Sequence, residues 1–345
     1  MGLGLLGKQM DYRVLGRTGL RVSAIGMGGW QLSGPLEVDG KADGFPDVGR
    51  EDAIALIRAC GDLGINFIDT AEIYGEDGEG ERRIGEALHG QRDRWLVSTK
   101  FGMRCDAAGN RVENSHPDVI RPSLERSLRR LQTDYVDLYL YHVPPAPHSI
   151  QAGKAVLDAL KQEGKIRFYG ISTDDGEVLA QMVRQEAVDV AMFNQSLIVR
   201  PDPMLNWVKD RKLGCIVRGA LAAGQLSGKY FHQDPQLSGQ DFRSEVSIPW
   251  QKYAFYERFL PAGGSMTAFA LRYLLDFETT HTIILGGKSL AHYQAALQAL
   301  ELPALSPDTH KKLAQVRQRL ALKELARNML RPIGRPVKNW LRSWG

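Results

Sequence analysis

The chain has 345 residues, 43% of them hydrophobic and 24% charged, an ordinary globular balance that can bury one large core. Its net charge of +4 sits at the end, where Lys323, Arg327, Arg331, Arg335, Lys338 and Arg342 face Glu324 alone, so the body is near neutral. No apolar run reaches the ~18 residues of a membrane span, and Cys60, Cys105 and Cys215 have neither metal nor redox spacing. The short apolar start is unlike a secretory signal, and Leu6 stands where myristoylation needs Ser or Thr. The expectation is a cytoplasmic protein with reduced, packed thiols.

In chain order, the first pattern is a decoy. Gly2-Leu3-Gly4-Leu5-Leu6-Gly7 has the glycine spacing of dinucleotide-binding turns, but no strand precedes it, so it reads as a mobile terminus. From residue 22 onward, short β-branched runs alternate with amphipathic stretches. Strands are predicted at 22–28, 66–70, 95–100, 135–142, 166–172, 188–195, 215–220 and 282–286. Helices are predicted at 51–63, 79–89, 117–132, 149–164, 176–186, 202–212, 265–277 and 290–300. Pro117 suits a first helical turn, where its missing N–H has no partner anyway, and Gly164 suits a left-handed helix end.

Near-continuous apolar strands imply a sheet covered on both faces. Eight of them, each followed by a helix, imply an α/β fold closed as a (β/α)8 TIM barrel rather than a doubly wound open sheet. Two segments stand outside the repeat: a long polar and aromatic loop after strand seven, 228–261, and a C-terminal helical extension beyond Pro307. Loops of that length commonly serve as lids or binding loops. Residues 1–320 are read as one barrel domain and 321–345 as a basic tail.

Barrel enzymes carry their chemistry at the C-terminal ends of the strands. Asp69 ends strand two, with Tyr74 in the loop beyond it, Lys100 ends strand three and His142 ends strand four. Adjacent strands lie about 4.8 Å apart, so these ends share one mouth. Each residue alone has a plain structural reading, as an ion pair or a packed amphipathic side chain. Nothing structural requires all four at one rim.

With these residues in view, the sequence resembles the aldo-keto reductase family from about Leu15 to Leu300. Asp69-Thr70-Ala71, Tyr74-Gly75, Thr99-Lys100 and the run Asp137-Leu138-Tyr139-Leu140-Tyr141-His142 carry the resemblance. It implies carbonyl reduction by hydride transfer from NADPH, with NADH as the alternative. Tyr74 would be the general acid, Lys100 would lower its pKa, Asp69 would hold Lys100 charged, and His142 would position the carbonyl. The resemblance also implies a cofactor site of Ser172, Gln195, Arg218, Leu221, Gly224, Gly286, Lys288 and Ser289. Lys288 suits an extra 2′-phosphate, whereas Ala295 and Ala296 replace the family's polar adenine contacts. Trp30 is expected to line the substrate pocket, together with the loop after Lys100 and residues of 228–261 that include Trp250.

Two other classes compete with this reading. A regulatory or binding subunit of the same fold would keep the cofactor and lack turnover. A metal hydrolase is disfavoured because no H-x-H or H-E-x-x-H spacing occurs, so no metal site is expected. The expected partner is a small carbonyl compound, with no nucleic acid and no stable membrane insertion. The tail, with Trp340 and Trp344 among its cations, allows at most weak surface contact and reads as solvated chain folding over the barrel. The sequence gives no indication of oligomeric state.

Overall fold

The structure, a computed structural model, describes residues 10–261 and 263–329, the last six by backbone alone. The expected terminal decoy, and the tail beyond Met329, lie outside the described residues. Eight parallel strands close into a barrel: β1 (Ile25–Gly28), β2 (Phe67–Asp69), β3 (Leu96–Phe101), β4 (Val136–Tyr141), β5 (Ile166–Ser172), β6 (Val190–Asn194), β7 (Gly214–Arg218) and β8 (Thr282–Leu285). Closure runs through β8 and β1, where Ile283 pairs with Ile25 and Leu285 with Met27. The helices are α1 (Arg50–Asp62), α2 (Glu79–Leu88), α3 (Pro117–Leu131), α4 (Ile150–Gln162), α5 (Gly176–Arg184), α6 (Asp202–Arg211), α7 (Met266–Leu275) and α8 (Leu290–Glu301). A further helix, α9 (Pro307–Met329), is the expected extension and runs past residue 321.

Local chemistry sets several boundaries. His116 caps α3 by accepting from Asp118 N, with Pro117 next to it. Gly164, at φ +75°, follows α4 in the left-handed conformation. The first strand departs from expectation. Residues 22–28 divide: Arg21–Ser23 pairs antiparallel with Tyr12–Val14 and only Ile25–Gly28 enters the barrel. Leu15, Leu20 and Val22 of this hairpin pack with Phe67, Leu138, Leu140, Val190, Met192 and Ile216. The apolar run was therefore continuous because it fills the lower lumen from two segments.

The two-residue period of the strands assigns their faces. Leu138 and Leu140 point into the lumen, while Tyr139 and Tyr141 belong to the cluster between sheet and helices. Tyr139 Oη donates to Ile120 O of α3 at 3.0 Å. The same period carries Phe67 on to Asp69, Leu96 on to Ser98 and Lys100, and Leu140 on to His142. The apolar lumen thus ends at its top in polar groups.

Between β5 and β6 the strands approach so closely that a Cβ on Gly170 would overlap the Val190 carbonyl oxygen. Gly170→Ala is therefore expected to cost about 3 kcal/mol, read as a lower urea midpoint at unchanged slope. An unchanged midpoint would show that β5 and β6 separate freely.

Candidate active site

At the upper end of β2 and β3 the barrel buries an ion pair. Lys100 Nζ lies 2.6 Å from Asp69 Oδ2, and each side chain is 2% exposed. Two further groups hold it: Ser98 Oγ donates to Asp69 Oδ1 at 2.9 Å, and Lys100 Nζ donates to Thr70 O at 2.8 Å. The remaining direction of the ammonium faces Tyr74, with Nζ to Oη at 3.4 Å. His142, whose backbone N–H donates to Phe101 O, sets its ring edge-on to Tyr74 with centroids 5.8 Å apart. The three residues read from strand ends and Tyr74 from the adjoining loop therefore share one cluster, with Asp69 and Lys100 buried and Tyr74 and His142 half-buried.

The electrostatics correct one expectation. Lys100 was expected to bring the Tyr74 phenol below its usual pKa, but burial raises that pKa by more than Lys100 lowers it. The net direction is upward, so at neutral pH Tyr74 is a protonated acid. Burial alone would discharge Lys100; Asp69, with Tyr74, reverses this and holds its pKa above the ordinary lysine value. Burial, then the charges of Lys100, Arg218 and Arg111, press the His142 pKa well below the ordinary imidazole value. His142 Nδ1 is buried with no partner among the described residues. A neutral imidazole with an unused nitrogen is free to hydrogen-bond a ligand oxygen.

The opposite half of the mouth is polar in a different way. Gln195 is fully buried, yet neither its Oε1 nor its Nε2 has a partner among the described residues. An amide left so costs stability unless a ligand pairs it. Ser172 ends β5 nearby in the ladder, and Thr173 Oγ1 turns instead to Asp175 N. Arg218, at the end of β7, pairs with Asp174 at 2.7 Å, which also accepts from Asn194 Nδ2 at 2.8 Å. Leu221 and Gly224, φ +98°, belong to the turn after β7. Gly286, after β8, lies beneath the Gln31 side chain. Ser289 precedes α8 in extended conformation and makes no side-chain cap. Lys288 is partly buried, donating to Pro46 O at 3.4 Å and lying 4.9 Å over the Phe45 ring. Ala296 packs inside the core and presents nothing to a ligand.

Trp30 stacks on Tyr74, with centroids 6.0 Å apart and planes at 22°. The loop 228–261 reaches it through Phe242, whose ring lies 4.7 Å from that of Trp30 and whose backbone N–H donates to Gly44 O at 3.0 Å. Trp250, expected in the pocket, packs instead on Tyr230 and lies beside Gly224. Sequence reading pointed to the segments that hold Phe242 and Arg111 without singling out either residue, and it missed Phe45, Asp43 and Asp174. It also missed two short hairpins at the mouth, Glu37–Val38 with Lys41–Ala42 and Met103–Cys105 with Arg111–Glu113. Their two- and three-residue strands carry no periodicity to read, and only Gly40 and Gly109, both at positive φ, signal the turns.

The depressed His142 pKa has a direct consequence. Below about pH 6.5 the unfolded chain binds a proton at this residue and the fold does not, so stability falls as pH drops through that value. NMR of the His142 ring should place its protonation well below the ordinary imidazole range; titration near the ordinary value would contradict the buried, cation-flanked setting.

The model of the aldo/keto reductase family matches residues 24–318. Aldo-keto reductase YhdN of Bacillus subtilis is 29% identical over 303 residues, covering 83% of this chain and 87% of that protein. An NADH-specific methylglyoxal reductase of Escherichia coli is 32% identical over 229 residues, covering 62% of this chain and 68% of that one. Among solved structures, the holo form of aldo-keto reductase AKR11C1 from Bacillus halodurans superimposes with a TM-score of 0.75 at 27% identity, covering 89% of this chain and 96% of that one.

Proposed function

Because the chain belongs to the aldo/keto reductase family, we propose that this oxidoreductase reduces an aldehyde or ketone to an alcohol with a nicotinamide cofactor, Tyr74 supplying the proton. The observation that carries the reading is the buried Asp69–Lys100 pair turned towards the Tyr74 hydroxyl. A buried lysine held charged beside a phenol serves a reaction in which the phenol gives up its proton.

When bound, the nicotinamide supplies hydride to the carbonyl carbon. As that C–H bond forms, the C=O π electrons move to oxygen, and the oxygen takes the Tyr74 proton. Lys100 stabilises the phenolate left behind, and Asp69, Ser98 and the Thr70 carbonyl keep the ammonium aimed. Neutral His142 donates to the carbonyl oxygen from its unpartnered side and sets its approach. Trp30 covers Tyr74 and excludes water from the proton path.

The chain's own residues suit the cofactor. The unpaired amide of Gln195 matches a carboxamide, which offers one donor group and one acceptor, and Ser172 stands at the adjoining strand end. Arg218, Leu221 and Gly224 line the turn that would cover the phosphates, with Gly286 and Ser289 at the start of α8. Lys288 forms no salt bridge among the described residues, though the charge of Asp241 reaches it, and a partly buried cation left without a bonded carboxylate there favours NADPH over NADH.

Tyr74→Phe removes the proton donor and little volume. The turnover number with an aldehyde should fall by about 10²–10⁴, while the cofactor Kd from nicotinamide fluorescence stays within about twofold. Retained turnover sinks the assignment of Tyr74. Cofactor binding by the wild type without turnover on any aldehyde or ketone identifies a binding subunit instead.

A further inference from the structure

The half of the mouth that holds Tyr74 and His142 carries a charged pair that proton transfer does not use. Asp43, in the loop after β1, and Arg111, on the hairpin after β3, form a salt bridge between the two loops. The pair is tied to the reacting groups. The Asp43 carbonyl accepts from Trp30 Nε1 at 3.3 Å, and Trp30 stacks on Tyr74. The charge of Arg111 also reaches His142, whose protonation it opposes.

Hydrogen bonding within the pair is incomplete. Among the described residues, Asp43 Oδ2 accepts from Arg111 Nη2, and Oδ1 accepts from nothing. Arg111 Nη1 donates only to Met103 Sδ, at 3.1 Å, a weak acceptor. Both side chains stay partly open, 32% exposed for Arg111 and 24% for Asp43. A spare acceptor and a spare donor therefore stand together, with opposite charges that cancel. A hydroxyl group, being donor and acceptor at once, satisfies both. A carboxylate or phosphate would gain from Arg111 but meet Asp43, with the charge of Asp39 also close. An apolar chain would cover both groups and pair neither.

We propose that Asp43 and Arg111 read hydroxyl groups beside the reacting carbonyl, so that the substrate class is hydroxyaldehydes and open-chain sugars. This deepens the reductase reading and rests on it. Trp30, whose indole borders both the pair and Tyr74, closes the carbon-bearing side of such a chain and leaves its hydroxyls to the pair.

The test compares kcat/KM for glyceraldehyde, propanal and glyceraldehyde 3-phosphate in the wild type, in Arg111→Met and, independently, in Asp43→Ala. The wild type should favour glyceraldehyde over propanal by about tenfold or more, because hydrogen bonds to charged groups separate the two. Each variant should lose most of that ratio. An equal fall for both aldehydes in Arg111→Met shows that the pair only braces two loops, and overturns the proposal. A wild-type preference for the phosphate ester over glyceraldehyde that disappears in Arg111→Met overturns it in favour of an anion site. Absence of cofactor oxidation with every carbonyl compound defeats the reductase reading itself, a result distinct from an unchanged ratio.

Discussion

The ion pair between Lys100 and Asp69 constrains everything around it. Two opposite charges, each 2% exposed, have been taken out of water into the top of a barrel. Desolvation of that kind costs several kcal/mol per ion and is offset only when geometry and further hydrogen bonds are nearly complete. Ser98 and the Thr70 carbonyl complete it for all but one direction, and that direction is Tyr74. The phenol is thus the least satisfied neighbour of a buried cation, which is where a transferable proton is wanted.

The barrel divides the work around its rim. Strands β2 to β4 hold the Asp69–Lys100 pair and His142, to which the proposed reaction assigns the proton transfer with Tyr74, and the loops after β1 and β3 bring Trp30, Asp43 and Arg111 close by. Strands β5 to β8 hold unpaired or anion-seeking groups, Gln195 and Lys288 among them. The long loop after β7 joins the two halves, because Phe242 crosses to Trp30 and Phe45 while Arg243, fixed by Asp241, donates to Ala223 O. A ligand spanning the halves would lie beneath that strap.

Much of this was legible in the sequence for a physical reason. Strand length, apolar continuity and helix punctuation are local properties, so seven of the eight barrel strands and all eight intervening helices appeared within two residues or so of their places. The Asp69, Lys100 and His142 positions followed from strand ends alone. The first strand misled because a hairpin floor and a barrel strand share one apolar run. The sign of the Tyr74 shift misled because sequence shows the lysine and not the depth of burial. Asp43 and Arg111 were unreadable, since they meet only when two short hairpins dock.

The central claim is that the Lys100 charge acts on the Tyr74 hydroxyl through their contact. Ultraviolet difference titration, with Tyr74→Phe used to isolate that residue's signal, measures it in the presence and absence of the ammonium. Replacing Lys100 by Met should move the Tyr74 midpoint upward from its already raised position. An unmoved midpoint, or a downward one, would show that the two side chains are neighbours without coupling.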